Sequence, residues 1–104
     1  MKKQLDAVAF FHEKFNVEQN NEPTLIEEKE FLLRHKLMKE ENQEYLEACA
    51  TNDLVGVADA LGDKLYILLG TILKHGLQDK IEEIFDEIQN SNMSKLNDDG
   101  KPLL

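Results

Sequence analysis

Glu40, Glu41 and Glu44 crowd one short stretch, and Asp59 and Asp63 stand four residues apart in a stretch that is otherwise apolar. On a helix, residues three and four apart share a face, so Leu37, Met38, Glu41, Glu44, Tyr45 and Ala48 form one stripe, and Asp59 and Asp63 another. Both stripes put acids where apolar residues are expected, so Glu41, Glu44, Asp59 and Asp63 are all predicted to face inward. Two like charges about 4 Å apart repel by roughly 4 kcal/mol at an effective dielectric near 20, and desolvating each carboxylate costs several more. A hard divalent cation with oxygen ligands offsets both, and Mg²⁺ is held by a few carboxylates together with water and phosphate oxygens. The acids therefore point to a metal and phosphate site inside a helical bundle.

Other site chemistries lack their residues. A di-iron carboxylate bundle needs Glu-x-x-His pairs, but Ala9, Leu32 and Ile72 stand three before His12, His35 and His75. One cysteine and three scattered histidines do not make a zinc site. There is no glycine-rich phosphate loop and no nucleophile elbow.

Four helical segments are expected to position the acids. Leu5, Val8, Phe11, His12 and Phe15 recur at helical spacing, which predicts a first helix from about Lys3 to Phe15, with Phe11 and Phe15 in the core and His12 as a hydrogen-bonded structural residue. Asn16 to Pro23 is polar and reads as a loop. Thr24-Leu25-Ile26-Glu27 fits a capping box, so a long second helix, kinked near its beginning, is expected from there to about Ala50. Arg34 lies seven residues before Glu41 on the same face, placed either to contact a substrate phosphate or to pair with an acid.

Thr51-Asn52-Asp53 offers caps for a third helix, Asp53 to about His75, which Lys74, His75 and Gly76 close with positive charge and a flexible C-cap. Its apolar character nearly all round predicts a buried helix. Ile81, Ile84, Phe85 and Ile88 mark a fourth helix from about Gln78 to Asn90, and the segment from Ser91 to Pro102 is an aperiodic tail with donors suited to a nucleotide. With no strand alternation and no internal repeat, the chain is predicted to be an all-α single domain spanning residues 1–104.

Composition narrows the partners. A net charge of −9 disfavours nucleic acid and suits an acidic site loaded with cations. Cys49 is the only cysteine, so no intrachain disulfide forms, and a reducing, cytoplasmic setting is expected. The start of the chain leads into an amphipathic helix rather than a secretion signal. The apolar run from Leu54 to Leu73 carries Asp59, Asp63 and Lys64, each costly in a bilayer, so it is read as a helix of a soluble core and not as a membrane span. At this length an isolated core is modest, and the apolar third helix needs more cover than one chain offers, so a homo-dimer or homo-tetramer is expected.

The chain resembles the all-α nucleoside triphosphate pyrophosphatase superfamily, which includes MazG, dimeric dUTPases and phosphoribosyl-ATP pyrophosphohydrolase. Glu40, Glu41 and Glu44 meet its Glu-Glu-x-x-Glu motif, and Asp63 ends its Glu-x-x-Asp motif. The segment from Val57 to Tyr66 and the tail Ser91-Asn92-Met93-Ser94-Lys95 are similar to small, single-domain phosphoribosyl-ATP pyrophosphohydrolase-like proteins. Ala60 stands where the second motif has Glu, and Asp59, one residue earlier, is the substitute at hand.

The resemblance implies a four-to-five-helix bundle that hydrolyses a nucleoside triphosphate between the α- and β-phosphates, releasing monophosphate and pyrophosphate with Mg²⁺, for which Mn²⁺ could substitute. It implies Glu41, Glu44 and Asp63 as metal ligands, with Asp59 as a fourth, and Glu40 as a ligand or water-activating base beside Glu41. Lys95 with Asn92 would contact phosphate or nucleoside if the tail folds over the site, and Lys64 could do so instead or merely offset charge. The competing reading is a non-catalytic helical interaction module, in which the same acids would be exposed or paired with Lys and Arg.

Overall fold

The computed structural model describes residues 1–96, 100 and 101. Four helices follow one another, α1 (Lys2–Lys14), α2 (Glu28–Ala50), α3 (Leu54–Lys74) and α4 (Ile81–Met93), with no strand among the described residues. The fold is all-α, as the periodicity predicts. No described helix is long and apolar enough to cross a membrane.

The caps of α3 form where the sequence places them. Asn52 takes a left-handed turn (φ 57°), which Asn tolerates well, and the Asp53 carboxylate accepts from the Gly56 N–H at 2.9 Å. At the other end His75 caps the helix and Gly76 has φ +66°. Any Cβ there would strike the Glu22 carbonyl, so the position demands glycine on two counts.

The carbonyls left over at that end are satisfied from far away. The Asn20 backbone N–H donates to the Leu73 carbonyl (3.0 Å), the Asn20 side chain to Lys74 (2.6 Å), and the Thr24 N–H to His75 (2.9 Å). The loop between α1 and α2 is thereby strapped across the end of α3. Lys74, buried there, donates to the Glu18 carbonyl and pairs with Glu30 at 2.8 Å, joining the loop, α2 and α3.

This strap corrects one prediction. Thr24 makes no capping box: its N–H is committed to His75 and its hydroxyl donates to the Leu25 carbonyl, so α2 starts only at Glu28. The fourth helix likewise starts three residues late, at Ile81, because the Gln78 amide donates to the Asn20 carbonyl and residues 78–80 turn beneath the strap.

The core is a small cluster of Leu5 and Val8 from α1 with Leu69 and Leu73 from α3, flanked by Ala9, Ile72 and Ile81. Buried Ala48 and Ala60 let α2 and α3 approach, and these two helices share the most extensive packing in the fold. His12 is buried and its Nδ1 lies 3.1 Å from Gln19 Oε1, the structural role expected of it. Phe11 and Phe15, by contrast, are exposed (40% and 66%) and stack on each other at 4.3 Å, with Tyr66 edge-on to Phe11. Two stripes share Val8 on α1, and the fold uses Leu5-Val8-His12 rather than the one through Phe11 and Phe15.

The expectation of a buried third helix also fails within one chain. Leu54, Val55, Leu61, Leu65, Tyr66 and Leu68 are all exposed, because α1 covers only the last turns of α3. α4 has no buried residue at all. The radius of gyration, 16.7 Å, is well above the roughly 13 Å typical of a compact domain this long.

Candidate active site

Helical spacing alone brings Glu41 and Glu44 onto the α3-facing side of α2, and Asp63 meets them from the middle of α3. One carboxylate oxygen from each lies within 4.8 Å of the others. Glu41 is half-buried, whereas Glu44 and Asp63 are exposed. The Glu41 Oε2 atom is buried without a hydrogen-bond partner, which is costly for an acceptor of this strength. Among the described residues, no Lys or Arg forms an ion pair with any of the three.

Electrostatics follow from that crowding. Burial raises the Glu41 carboxyl above its ordinary value, and the adjacent Glu44, then Asp63 and Asp59, push it further in the same direction. A cation, or a proton shared with Glu44, would relieve the repulsion. The donor set is all carboxylate oxygen, which suits Mg²⁺ or Mn²⁺ rather than a softer metal. The residues present thus fit a hard divalent cation.

The remaining candidates fall in different places. Asp59 is exposed and lies outside the three-oxygen group, lining a shallow recess beside it with Glu44, Glu47, Ala48, Thr51, Asp53 and Gly56. The inward orientation predicted for the acids is therefore corrected: Glu44, Asp59 and Asp63 are exposed, and among the described residues no other helix covers the groove they border. Ala60 is 2% exposed, so a Glu at that position would bury a carboxylate in the packing of the helix, and Asp59 presents its acid to the groove instead. Glu40 is exposed with its carboxylate 4.0 Å from Lys36, one turn back on α2.

The basic candidates do not join the cluster. Arg34 reaches across to α3, where Nε donates to Thr71 Oγ1 at 3.0 Å and Nη2 to the Ile67 carbonyl at 2.9 Å. Gly70 makes room for it, since a Cβ there would meet both the guanidinium and His12. Lys64 donates to Asn42 Oδ1 at 2.6 Å, bridging α3 and α2. Lys95 donates to Asn92 Oδ1 at 3.1 Å just beyond α4; the tail beyond Leu96 lies largely outside the described residues. Asn42 was not singled out by sequence, and nothing in its spacing marks it except its place directly after Glu41.

Glu44, Asp59 and Asp63 are exposed, as an interaction module would have them, yet Glu41, Glu44 and Asp63 are gathered together and, among the described residues, form no ion pair with Lys or Arg. The sequence model of a family described as phosphoribosyl-ATP pyrophosphohydrolase matches residues 8–92, a span containing all of α2 and α3 and every acid of the groove. No curated protein matches the chain closely enough to stand beside it as a relative.

Proposed function

Because the chain belongs to the phosphoribosyl-ATP pyrophosphohydrolase family, and so is a hydrolase acting on acid anhydrides, we propose that its acidic groove hydrolyses a nucleoside triphosphate between the α- and β-phosphates. The observation that carries this is the unpartnered, buried Glu41 Oε2, in a group of three acids with one carboxylate oxygen from each within 4.8 Å of the others and, among the described residues, no ion pair to Lys or Arg. Glu41, Glu44 and Asp63 hold Mg²⁺, or Mn²⁺ in its place, with Asp59 joining from the adjoining recess. Bound there, the cation supplies positive charge to the phosphate oxygens.

The chain's own groups do the rest. Water attacks phosphorus, the bridging oxygen departs with its bonding electrons on pyrophosphate, and the proton passes to a carboxylate. Glu40, which stands beside Glu41 but is not one of the three gathered carboxylates, is the first candidate to accept it, and Glu41 is the second. Lys64, next to Asp63 and held at the groove by Asn42, contacts a phosphate oxygen. Arg34, Asn92 and Lys95 are engaged elsewhere, and serve the substrate only by leaving those contacts. The protein acts in the cytoplasm as two or four copies and has no nucleic-acid partner.

The test is a screen of nucleoside triphosphates and phosphoribosyl-ATP with Mg²⁺ or Mn²⁺, reading pyrophosphate. Release that requires the metal supports the reading; no release from any of them, or release of orthophosphate alone, overturns it.

A further inference from the structure

Between α1 and the turn that leads from α3 into α4 the fold leaves a partly open cavity of about 380 Å³. Lys2, Leu5, Asp6 and Ala9, spaced three and four apart, lay one face of α1 along it, and Leu73 and the segment from Gln78 to Glu82 close it from the other side. None of the acids of the groove lines it. Its size is at the lower end of the roughly 300–1,000 Å³ usual for small-ligand pockets.

The floor is complete, and one wall is not. Leu5 and Leu73 belong to the core and Ala9 packs against them. The Gln19 amide on the loop is satisfied at both atoms, its oxygen lying 3.1 Å from His12 Nδ1 and its nitrogen donating to the Ala9 carbonyl at 3.5 Å. Gln78 is satisfied at only one. Its Nε2 donates to the Asn20 carbonyl at 2.9 Å, which fixes which way the amide lies, and its Oε1 is buried without a partner. A buried acceptor is costly until a donor reaches it.

The charges at the mouth indicate which donor that is. Asp6, Asp79 and Glu82 set three carboxylates against one ammonium, that of Lys2. Lys2 pairs with Asp6 at 2.8 Å and Glu82 lies 3.4 Å from the Met1 amino group, whereas Asp79 forms no ion pair among the described residues. Such a mouth repels phosphate and other anions, and a metal ion has no use for an apolar floor. An ammonium group on a methylene stem uses every feature, its N–H groups on oxygen and its stem on the leucines, as lysine side chains lie over apolar surface elsewhere.

We propose that this cavity binds a short alkyldiamine, with one ammonium donating to Gln78 Oε1, the stem against Leu5, Ala9 and Leu73, and the second ammonium at Asp79. The site is separate from the acidic groove, and its occupation does not depend on the activity proposed above.

Titration of the full chain with 1,5-diaminopentane tests this by calorimetry and amide NMR, with Mg²⁺ in excess to occupy the acids of the groove. Saturable binding is expected, with the largest shifts at the Gln78 side-chain amide and the backbone amides of Leu73 and Asp79. Gln78→Met keeps the bulk of the side chain and removes the acceptor, and should weaken binding by about tenfold or more. Asp79→Asn, at an exposed position, should retain the fold and weaken binding several-fold; if Gln78→Met fails to fold, Asp79→Asn decides alone. The neutral analogue 1,5-pentanediol should bind far more weakly. No saturation at millimolar diamine, shifts confined to Glu41, Glu44 and Asp63, full affinity in Asp79→Asn, or a diol that binds as well as the diamine would each overturn the proposal.

Discussion

At its C-terminal end α3 gives up its last carbonyls to Asn20 and Thr24 and buries Leu69, Leu73 and Lys74, the last paired with Glu30. In its middle the same helix sets Asp63 against Glu41 and Glu44, none of them in an ion pair with Lys or Arg among the described residues, beside an apolar face left bare. One end is satisfied within the chain, and the other holds groups that gain a partner only by binding something. Repulsion among the acids is tolerable because the packed end, not the groove, fixes the relation of α3 to its neighbours. Stability and chemistry are thus separated along one helix, and the unsatisfied part is where function is expected to reside.

The separation can be broken by weakening the packed end. Leu73→Ala removes a core side chain that is 4% exposed and should cost about 3 kcal/mol, lowering the melting midpoint by about 15 °C. A loss within a degree or two would mean that the core lies elsewhere. The groove should respond to ligand instead. Mg²⁺ at about 100 times its dissociation constant should add about 2.7 kcal/mol to the wild-type fold, and calorimetric melts at that Mg²⁺ concentration and in chelator should differ by about 13 °C. Asp63→Asn should erase most of that difference.

Protons sharpen the contrast, because the two regions titrate with opposite sign. The Glu41 carboxyl is raised in the fold, so its contribution is present below its ordinary value of 4.5 and is lost as the pH rises through the raised value. In chelator at pH 7, Glu41→Gln should therefore melt higher than wild type, with the advantage vanishing below pH 4.5. Burial lowers the His12 imidazole, opposed by its hydrogen bond to Gln19 and assisted by Arg34 and Lys74. Its contribution is present above its ordinary value of 6.5 and is lost as the pH falls toward the lowered one. Melts at pH 7.5 and 5.5 should show a small loss in wild type that His12→Asn lacks; the same loss in both proteins would remove His12 from the account.

The features legible in the sequence are those set by neighbours close along the chain. The caps at Asp53 and Gly76, the limits of α3 and the shared face of Glu41 and Glu44 all depend on spacings of a few residues, and all are present. What escaped depends on distant partners. Thr24 reads as a cap until His75, 51 residues away, takes its carbonyl in a hydrogen bond. Lys74 reads as a dipole-complementing terminal charge until Glu30 pairs with it across 44 residues. Phe11 and Phe15 share a period with a true core stripe, and spacing alone could not choose between the two. The apolar character of α3 predicts an inward Asp59 and Asp63, whereas much of that apolar surface is exposed among the described residues.

The claim that the groove is a catalytic site is tested most directly by comparing two acids near it. Asp63 belongs to the three-carboxylate group; Glu47 lies one turn beyond Glu44 on α2 but takes a hydrogen bond from Gln43 at 3.1 Å and is not in that group. Pyrophosphate release from the best substrate with Mg²⁺ should fall at least 100-fold in Asp63→Asn, with the fold intact by circular dichroism, and stay within about twofold of wild type in Glu47→Gln. Full activity in Asp63→Asn, or equal impairment of the two variants, would contradict the account.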